Sequence, residues 1–432
     1  MMEEGLLKQV LIEQKEIIKP SSEYIERELI KKVPQFHKLK HIVVITGHRR
    51  AGKSVFLSQI IHKYYGIDEV YYLNFDDERL VSLKCEDMNR VMEVFHILFG
   101  DKKVIFLDEI QNLEGWERFV ARLYNQGYKI YITGSNARLL SSELATLLTG
   151  RYVEIELFPF SFREFLIYKG FHIDDMVKQK TYYKTETKAH LRKLLDEYLI
   201  TGGFPENVRY KESVILRKLF SDVITKDVVN RYKIKEVKTI KEIAHYLLSN
   251  SSKEFSYNRI KNIYSLGSVH TVKIYVEYLT STYMFFELPR FSHSLKEIHT
   301  RIKKIYVIDN GLIDAVGFSS SPDIGRLYEN LVFVELRRNG ADLYYYKDKR
   351  GREIDFVVRD KRSVKEAIQV CFNVNNDDVL KREVSGLIYG LKELGLKKGL
   401  IITSGLEDRK RIRGYDIKFL PLWKWLLTLG EE

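Results

Sequence analysis

GHRRAGKS, residues 47–54, holds residue types suited to a polyphosphate. Gly47 and Gly52 free the backbone to turn its amides onto phosphate oxygens. Lys53 can reach the β- and γ-phosphates, and Ser54 can ligate Mg²⁺. His48, Arg49, Arg50 and Ala51 lie between the glycines, and Val55 opens the next turn. Gly47 to Val55 is therefore the candidate ATP-binding segment. The spacing is specific only when a strand precedes it and a helix follows. HIVVIT supplies the strand. SVFLSQIIHKYY reads as the helix, its positive end facing the same anion.

KKVIFLDE, residues 102–109, supplies acids to match. Its apolar residues read as a buried strand with Asp108 at the carboxyl end, where ligands of such sheets bind. Asp108 would hold Mg²⁺, and Glu109 would polarise the water that attacks the γ-phosphate. KIYITGSNA is another buried strand ending in polar residues. Ser135 or Asn136 could contact the γ-phosphate or the attacking water, and the sequence does not choose between them. In LLTGRY, Arg151 could neutralise transition-state charge, in its own copy or in a neighbour's.

A different chemistry is half-written in GREIDFVVRDKRSVKEAIQVC, residues 351–371. Asp355 opens an apolar run as a metal-binding carboxylate would. Where a second carboxylate and a lysine would follow, the chain has Gln369 and Cys371. A neutral amide is a poor substitute for a carboxylate ligand to Mg²⁺. Lys365 and Glu366 are too far along the strand or on its other face. A lysine or arginine from another element, such as Lys347, Lys349 or Arg352, is the remaining source of positive charge.

These residues need elements to position them. From 41 to 150, buried apolar runs (HIVVITG, VYYLNF, KVIFLDE, KIYITGS) alternate with helical patterns, which predicts a parallel sheet covered by helices on both faces. Residues 1–40 read as polar helical segments broken at Pro20 and Pro34, and 151–235 as mostly helical. Residues 237–290 read as three helices, the third N-capped by Ser268 with Val272, Tyr275, Val276 and Leu279 facing the core. MFFELPRFS and RIKKIYVID then read as a two-stranded hairpin. That order is a winged helix, with His270, Thr271 and Lys273 outward on the reading helix. Lys261, Lys273, Arg290, Lys296, Arg301, Lys303 and Lys304 would help it meet DNA. The shortage of arginine on that helix favours phosphate contact over base readout. Residues 323–432 return to mixed α/β.

The 432 residues, 45% hydrophobic and 30% charged, describe a folded chain of several domains. A net charge of +12 suits a polyanion partner. Two cysteines, Cys85 and Cys371, exclude a disulfide scaffold and suit a reducing compartment. The N-terminus lacks a signal-peptide core, and no apolar run nears the roughly 20 residues that span a bilayer. A cytoplasmic protein is expected.

GHRRAGKS, FLDEIQ, ITGSNARL and LTGRYVEIELFPFSFREFL together resemble the prokaryotic, mainly archaeal, AAA+ family ATPases. The resemblance runs over nearly the whole chain after about residue 20, and the GR followed by L-x-PFSF-x-EF is its most specific part. It implies a P-loop AAA+ core at 1–157, a helical lid region at 158–235, a winged helix at 236–310 and a restriction-endonuclease-like domain at 311–432. It assigns Lys53 and Ser54 to nucleotide and Mg²⁺, Asp108 to Mg²⁺ and Glu109 to hydrolysis. It adds Glu329, in YENLV, to Asp355 and Gln369 as a nuclease-type site whose chemistry is incomplete. Three functions compete. An ATPase that binds or remodels duplex DNA, largely through phosphates, is preferred over an ATP-regulated nuclease and over a nucleotide switch acting on protein partners. A role for Arg151 in a neighbouring site would require a homo-oligomer.

Overall fold

A computed structural model of the chain describes residues 3–18, 24–135, 148–318, 323–360 and 363–429. The chain divides into two compact units. One comprises Met1–Phe158 with Ser281–Tyr283, and the other Pro159–Thr280 with Met284–Glu432. The boundaries expected at 235/236 and 310/311 both fall inside the second unit.

The first unit is a parallel sheet in the order β2-β3-β4-β1-β5. Its strands are β1 Ile42–Thr46, β2 Val70–Asn74, β3 Val104–Asp108, β4 Lys129–Thr133 and β5 Tyr152–Glu156. Side chains alternate between the faces of a strand, and both faces are covered. Ile42, Val44, Ile105, Leu107, Ile130 and Ile132 pack with the helices Met88–Phe99 and Trp116–Asn125. Val43, Ile45, Phe106 and Tyr131 pack with the helix Lys53–Tyr64. That helix buries Phe56, Leu57, Ile60 and Ile61, three and four residues apart. Cutting Ile60 back to alanine there would cost about 2–5 kcal/mol. Two expectations are corrected. β5, which lies in a stretch read as mostly helical, is a strand, hidden from pattern reading because only Ile155 is buried on this sheet edge. Pro34 does not break a helix. It sits in the first turn of Val33–His37, where no intrahelical partner is lost.

The second unit is helical from Phe162 to Asn230 and then carries two sheets. The helices Val237–Ser249, Tyr257–Ile263 and Val269–Thr280 accompany a sheet of β6 Lys253–Phe255, β7 Phe285–Leu288 and β8 Lys303–Val307, in antiparallel order β6-β8-β7. The two strands expected as a hairpin, β7 and β8, do pair antiparallel, with β6 added as a third strand and the short helix Leu295–Thr300 between β7 and β8. Val272, Val276 and Leu279 are buried, whereas Tyr275 is only half-buried. Ser268 accepts from Thr271 N at 3.1 Å, as an N-cap should.

The last sheet is mixed, in the order β13-β14-β12-β11-β10-β9. Its strands are β9 Asp342–Lys347, β10 Glu353–Asp360, β11 Ser363–Cys371, β12 Lys398–Thr403, β13 Asp408–Ile412 and β14 Tyr415–Pro421. β9, β10 and β11 pair antiparallel, and β11, β12 and β14 parallel. The helix Asp377–Glu393 covers one face through Leu387, Ile388 and Leu391. Among the described residues, no helix is long and apolar enough to cross a membrane.

Candidate nucleotide site and carboxylate cluster

The loop after β1 is shaped by its glycines. Gly47 has φ +136, and a Cβ there would meet Leu157 O at 2.1 Å, so no side chain fits. Gly52, at φ +97, caps the helix Lys53–Tyr64 in a left-handed conformation. Inside the loop, Lys53 is buried, with Nζ 3.3 Å from both Gly47 O and His48 O. His48 is fully buried, its Nδ1 2.7 Å from Arg49 O. Burial above all drives its pKa down to about 3. The imidazole therefore adds no charge to the loop near neutral pH. Ser54 is exposed and Val55 half-buried beside it.

The strand ends bring the acids here. Asp108 is wholly buried and accepts hydrogen bonds from Tyr72 OH at 3.0 Å, from Thr133 Oγ1 and from Ser54. Burial, and then the Glu109 charge, raise its pKa. Glu109 stands in the left-handed region at φ 50, a costly conformation for a residue with a side chain. Its amide donates to Thr133 Oγ1 at 2.8 Å. Its carboxylate lies 3.3 Å from Lys53 Nζ and accepts from Gln111. Burial pushes the Glu109 pKa up, but Lys53 and Gln111 outweigh it and hold it below the ordinary value. Glu109 is thus an anion at neutral pH, as an acceptor of a proton from water must be. Ser135, just past β4, is 3% exposed, and its hydroxyl has no hydrogen-bond partner among the described residues. Buried hydroxyls without a partner are rare in folded proteins. Asn136, the alternative, lies outside the described residues.

The arrangement suits Mg²⁺–nucleotide. Lys53 and the loop can meet phosphate, and Ser54 and Asp108 form one adjoining set of oxygen donors. Among the described residues, no group of three or more His, Cys, Asp and Glu is arranged to hold a metal ion. A cation here would take its other ligands from phosphates and water, the habit of Mg²⁺.

Arg151 is not part of this group. Its carbonyl accepts from Ile42 N at 2.9 Å, where β1 begins, and its guanidinium lies over the Tyr124 ring at 5.5 Å. The phosphate loop leaves the opposite end of β1, roughly 13 Å along the strand. In its own copy, Arg151 thus stands at the end of β1 away from the phosphate loop.

The second unit holds another charged cluster. Lys304, from β8, places Nζ 2.8 Å from Glu329, 2.6 Å from Glu353 and 3.2 Å from Asp355. Glu329 also accepts from Tyr306 OH at 2.6 Å, and Asp355 accepts from Val370 N at 2.9 Å. Burial, then the Glu329 charge, raise the Asp355 pKa to about 8, against the pull of Lys304. Gln369 occupies the remaining corner. Its Oε1 accepts from Asp355 N at 3.3 Å, and its Nε2 donates to Glu383 at 2.7 Å. Cys371 is buried, which pushes its thiol up to about 11 and keeps it uncharged. These residues, other than Lys304 and Tyr306, line a cavity of about 690 Å³ with Arg326, Arg350, Arg352 and Arg382 at its walls. The positive charge absent at Cys371 does come from another element, but from Lys304. Lys347 pairs with Glu254 and Glu353, and Arg352 with Asp348.

That commitment reduces the cations expected to meet DNA. Lys304 is buried, Lys303 pairs with Glu287, Arg301 with Glu297, and Arg290 donates to Lys347 O. His270, Lys273 and Lys296 are exposed, and Lys261 and Thr271 half-buried.

Sequence reasoning missed Thr133, Tyr72, Gln111 and Glu353, and assigned Lys304 to DNA rather than to the acids. Thr133 could have been found as the polar end of a buried strand. Lys304 offered no spacing signal.

Comparison with known proteins adds family context. An AAA domain model matches residues 39–166, and two domains of unknown function match 192–322 and 324–425. The uncharacterized protein MJ1544 of Methanocaldococcus jannaschii is 36% identical, covering 98% of this chain and 95% of its own. An uncharacterized Haemophilus influenzae protein is 30% identical, over 93% of this chain and 99% of its own. Among solved structures, the Aeropyrum pernix Orc1 protein in complex with DNA aligns with a TM-score of 0.33 and 12% identity, over 72% of this chain and 98% of its own.

Proposed function

The chain belongs to the archaeal-type AAA+ ATPase family, and from that premise we propose that it binds ATP with Mg²⁺ and hydrolyses it. The observation that carries this reading is the convergence of Lys53, Ser54, Asp108 and Glu109 at the carboxyl ends of β1 and β3, with the buried Ser135, unpartnered among the described residues, beyond β4. Gly47–Val55 holds the phosphates, and Ser54 with Asp108 supports the cation. The cation would neutralise charge building on the phosphate oxygens. Glu109, held as an anion, orients and takes a proton from the attacking water. Ser135 donates its hydroxyl to the γ-phosphate or to that water. Arg151 serves the site of a neighbouring copy.

The work done with this energy is on duplex DNA, held mainly through phosphates. The +12 charge and the order of three helices and three strands from 237 to 307, that of a winged helix, support it. So do the exposed Lys273 and Lys296. Cutting is disfavoured. In a site of the restriction-endonuclease type, carboxylates must be open to a cation. Here Lys304 already stands among them, and Gln369 replaces the second strand acid.

ATP turnover measured with and without duplex DNA, over a salt series, tests the reading. Turnover should need Mg²⁺ and rise with DNA, and DNA affinity should fall steeply with salt as counterions are released. Failure to hydrolyse ATP would refute the ATPase. A flat salt response, or DNA-independent turnover, would favour a switch acting on protein partners. Plasmid cleavage in Mn²⁺ that disappears in Asp355→Ala would restore the nuclease.

A further inference from the structure

Arg27 lies outside every motif described above, yet it is only 3% exposed. Its Nη1 donates to Ala51 O, in the phosphate loop, at 2.9 Å. Its Nη2 donates to Phe158 O, just beyond β5, at 2.6 Å. The backbone from which it reaches is fixed as well. Gln59, on the helix that follows the loop, accepts from Arg27 N at 3.1 Å and donates to Ile25 O at 2.6 Å. A guanidinium anchored in this way has its donors in a rigid fork aimed at two chosen carbonyls.

The carbonyl of Ala51 matters because of the peptide it belongs to. In a trans peptide, the C=O of one residue and the N–H of the next point in opposite directions. Fixing Ala51 O against Arg27 therefore turns the Gly52 N–H away from Arg27. Gly52 permits that orientation at φ +97, and a Cβ there would lie 3.5 Å from Arg27 Nη1. Ala51 is itself fully buried, so its carbonyl would lack a water partner if Arg27 were removed.

We propose that Arg27 is a positioning residue of the nucleotide site, holding the Ala51–Gly52 peptide in the phosphate-binding orientation. The inference rests on the ATP reading above and adds to it a residue contributed from before the strand and loop of the motif. The bland alternative is a brace between the loop and β5 that stabilises the fold without affecting ligand binding.

The two differ in what nucleotide affinity does. In the full-length chain, Arg27→Gln and Arg27→Lys are titrated with a fluorescent ATP analogue and with ADP in Mg²⁺. KM, kcat and the melting temperature of the ligand-free chain are measured alongside. Arg27→Gln should raise Kd and KM by about tenfold or more, the scale of one charge-assisted hydrogen bond. KM should rise by a larger factor than kcat falls. Arg27→Lys, which keeps the charge but not the fork, should recover only part of the loss. A folded Arg27→Gln with wild-type affinity would overturn the inference, whatever its melting temperature. Should that variant not fold, wild-type affinity in folded Arg27→Lys would overturn it equally. A wild-type chain that binds neither ATP nor ADP would overturn the ATP reading itself, a separate outcome.

Discussion

Lys304→Met removes the cation that three carboxylates share, and the structure fixes how much that should cost. Breaking a buried ion pair by deleting one partner costs ~3–5 kcal/mol, because a charge is left buried alone. The three acids are not equal here. Asp355, with its pKa raised to about 8, already carries a proton at neutral pH. Glu353 keeps Lys347 at 3.1 Å. Glu329 is left with only the Tyr306 hydroxyl described beside it. One anion is thus stranded rather than three, which puts the loss near the lower bound, about 3 kcal/mol. At about 2 °C per kcal/mol for a unit of this size, the melting temperature falls by about 6 °C.

The pH dependence follows from the same groups. Asp355 holds its proton in the folded state from about pH 4 to about pH 8, where the unfolded state has lost it. Its contribution to stability therefore declines as pH rises through that window. Burial pulls the Lys304 pKa down, but its partners, Glu329 first, raise it well above the ordinary value, so its contribution is complete at every pH in the window. Without Lys304, Asp355 loses the charge that pulls its pKa down and gains further from protonation. The variant should be nearest wild type at pH 5 and furthest from it at pH 8. Heat unfolding followed by tryptophan fluorescence reads this, since Trp423 and Trp425 are buried in the same unit. A midpoint within a degree of wild type at pH 8, or a larger loss at pH 5 than at pH 8, would refute the reasoning.

Other perturbations separate the parts of the nucleotide site. Glu109→Gln should keep Mg²⁺–ATP affinity and lower turnover by roughly 100-fold or more, the usual scale for a lost general base; nucleotide titration beside a phosphate-release assay reads both. Ser135→Ala should lower kcat by roughly tenfold with KM little changed if its hydroxyl meets developing charge; equal kcat in the two proteins would remove Ser135 from the chemistry. His48, with its pKa driven to about 3, stays neutral in the folded state while the unfolded chain takes up a proton below pH 6.5. Stability should therefore drop as pH falls from 6.5, and His48→Asn should flatten that slope in melting curves taken from pH 4 to pH 7.

The nucleotide site was legible because its chemistry is bound to local order. A phosphate loop needs its glycines, lysine and serine consecutively, between a strand and a helix. A buried strand ending in two acids marks Asp108 and Glu109 just as locally. β5 escaped for a physical reason. It closes the edge of the sheet, buries only Ile155 and so shows no apolar run. Arg151 was legible as a residue but not as a position. The sequence places it shortly after a helix, and only the pairing of Ile42 with Tyr152 reveals that it starts its strand and does not end it.

The carboxylate cluster shows the opposite case, in which no rule of spacing could have served. Lys304 lies 25 residues from Glu329 and 51 from Asp355, on a different sheet from Asp355. In the sequence it is one member of a basic run, RIKK, that read as a surface for DNA. Strand alternation decides otherwise. Lys303 turns to Glu287 and Tyr257, and its neighbour Lys304 must then face the other side, into the acids. The same step alters the meaning of Gln369. From sequence, it is a carboxylate that was lost. In the structure, its amide bridges Asp355 N and Glu383, a pair of bonds that needs an acceptor at one end and a donor at the other. A glutamate at 369 would offer acceptors only and would set a further negative charge against Glu383. Restoring the missing acid alone, Gln369→Glu, should therefore destabilise the second unit rather than revive a nuclease. Melting curves and a Mn²⁺ plasmid assay on that variant would show a lowered midpoint with no cleavage. Cleavage with an unchanged midpoint would mean that the lysine-bridged cluster opens to metal after all.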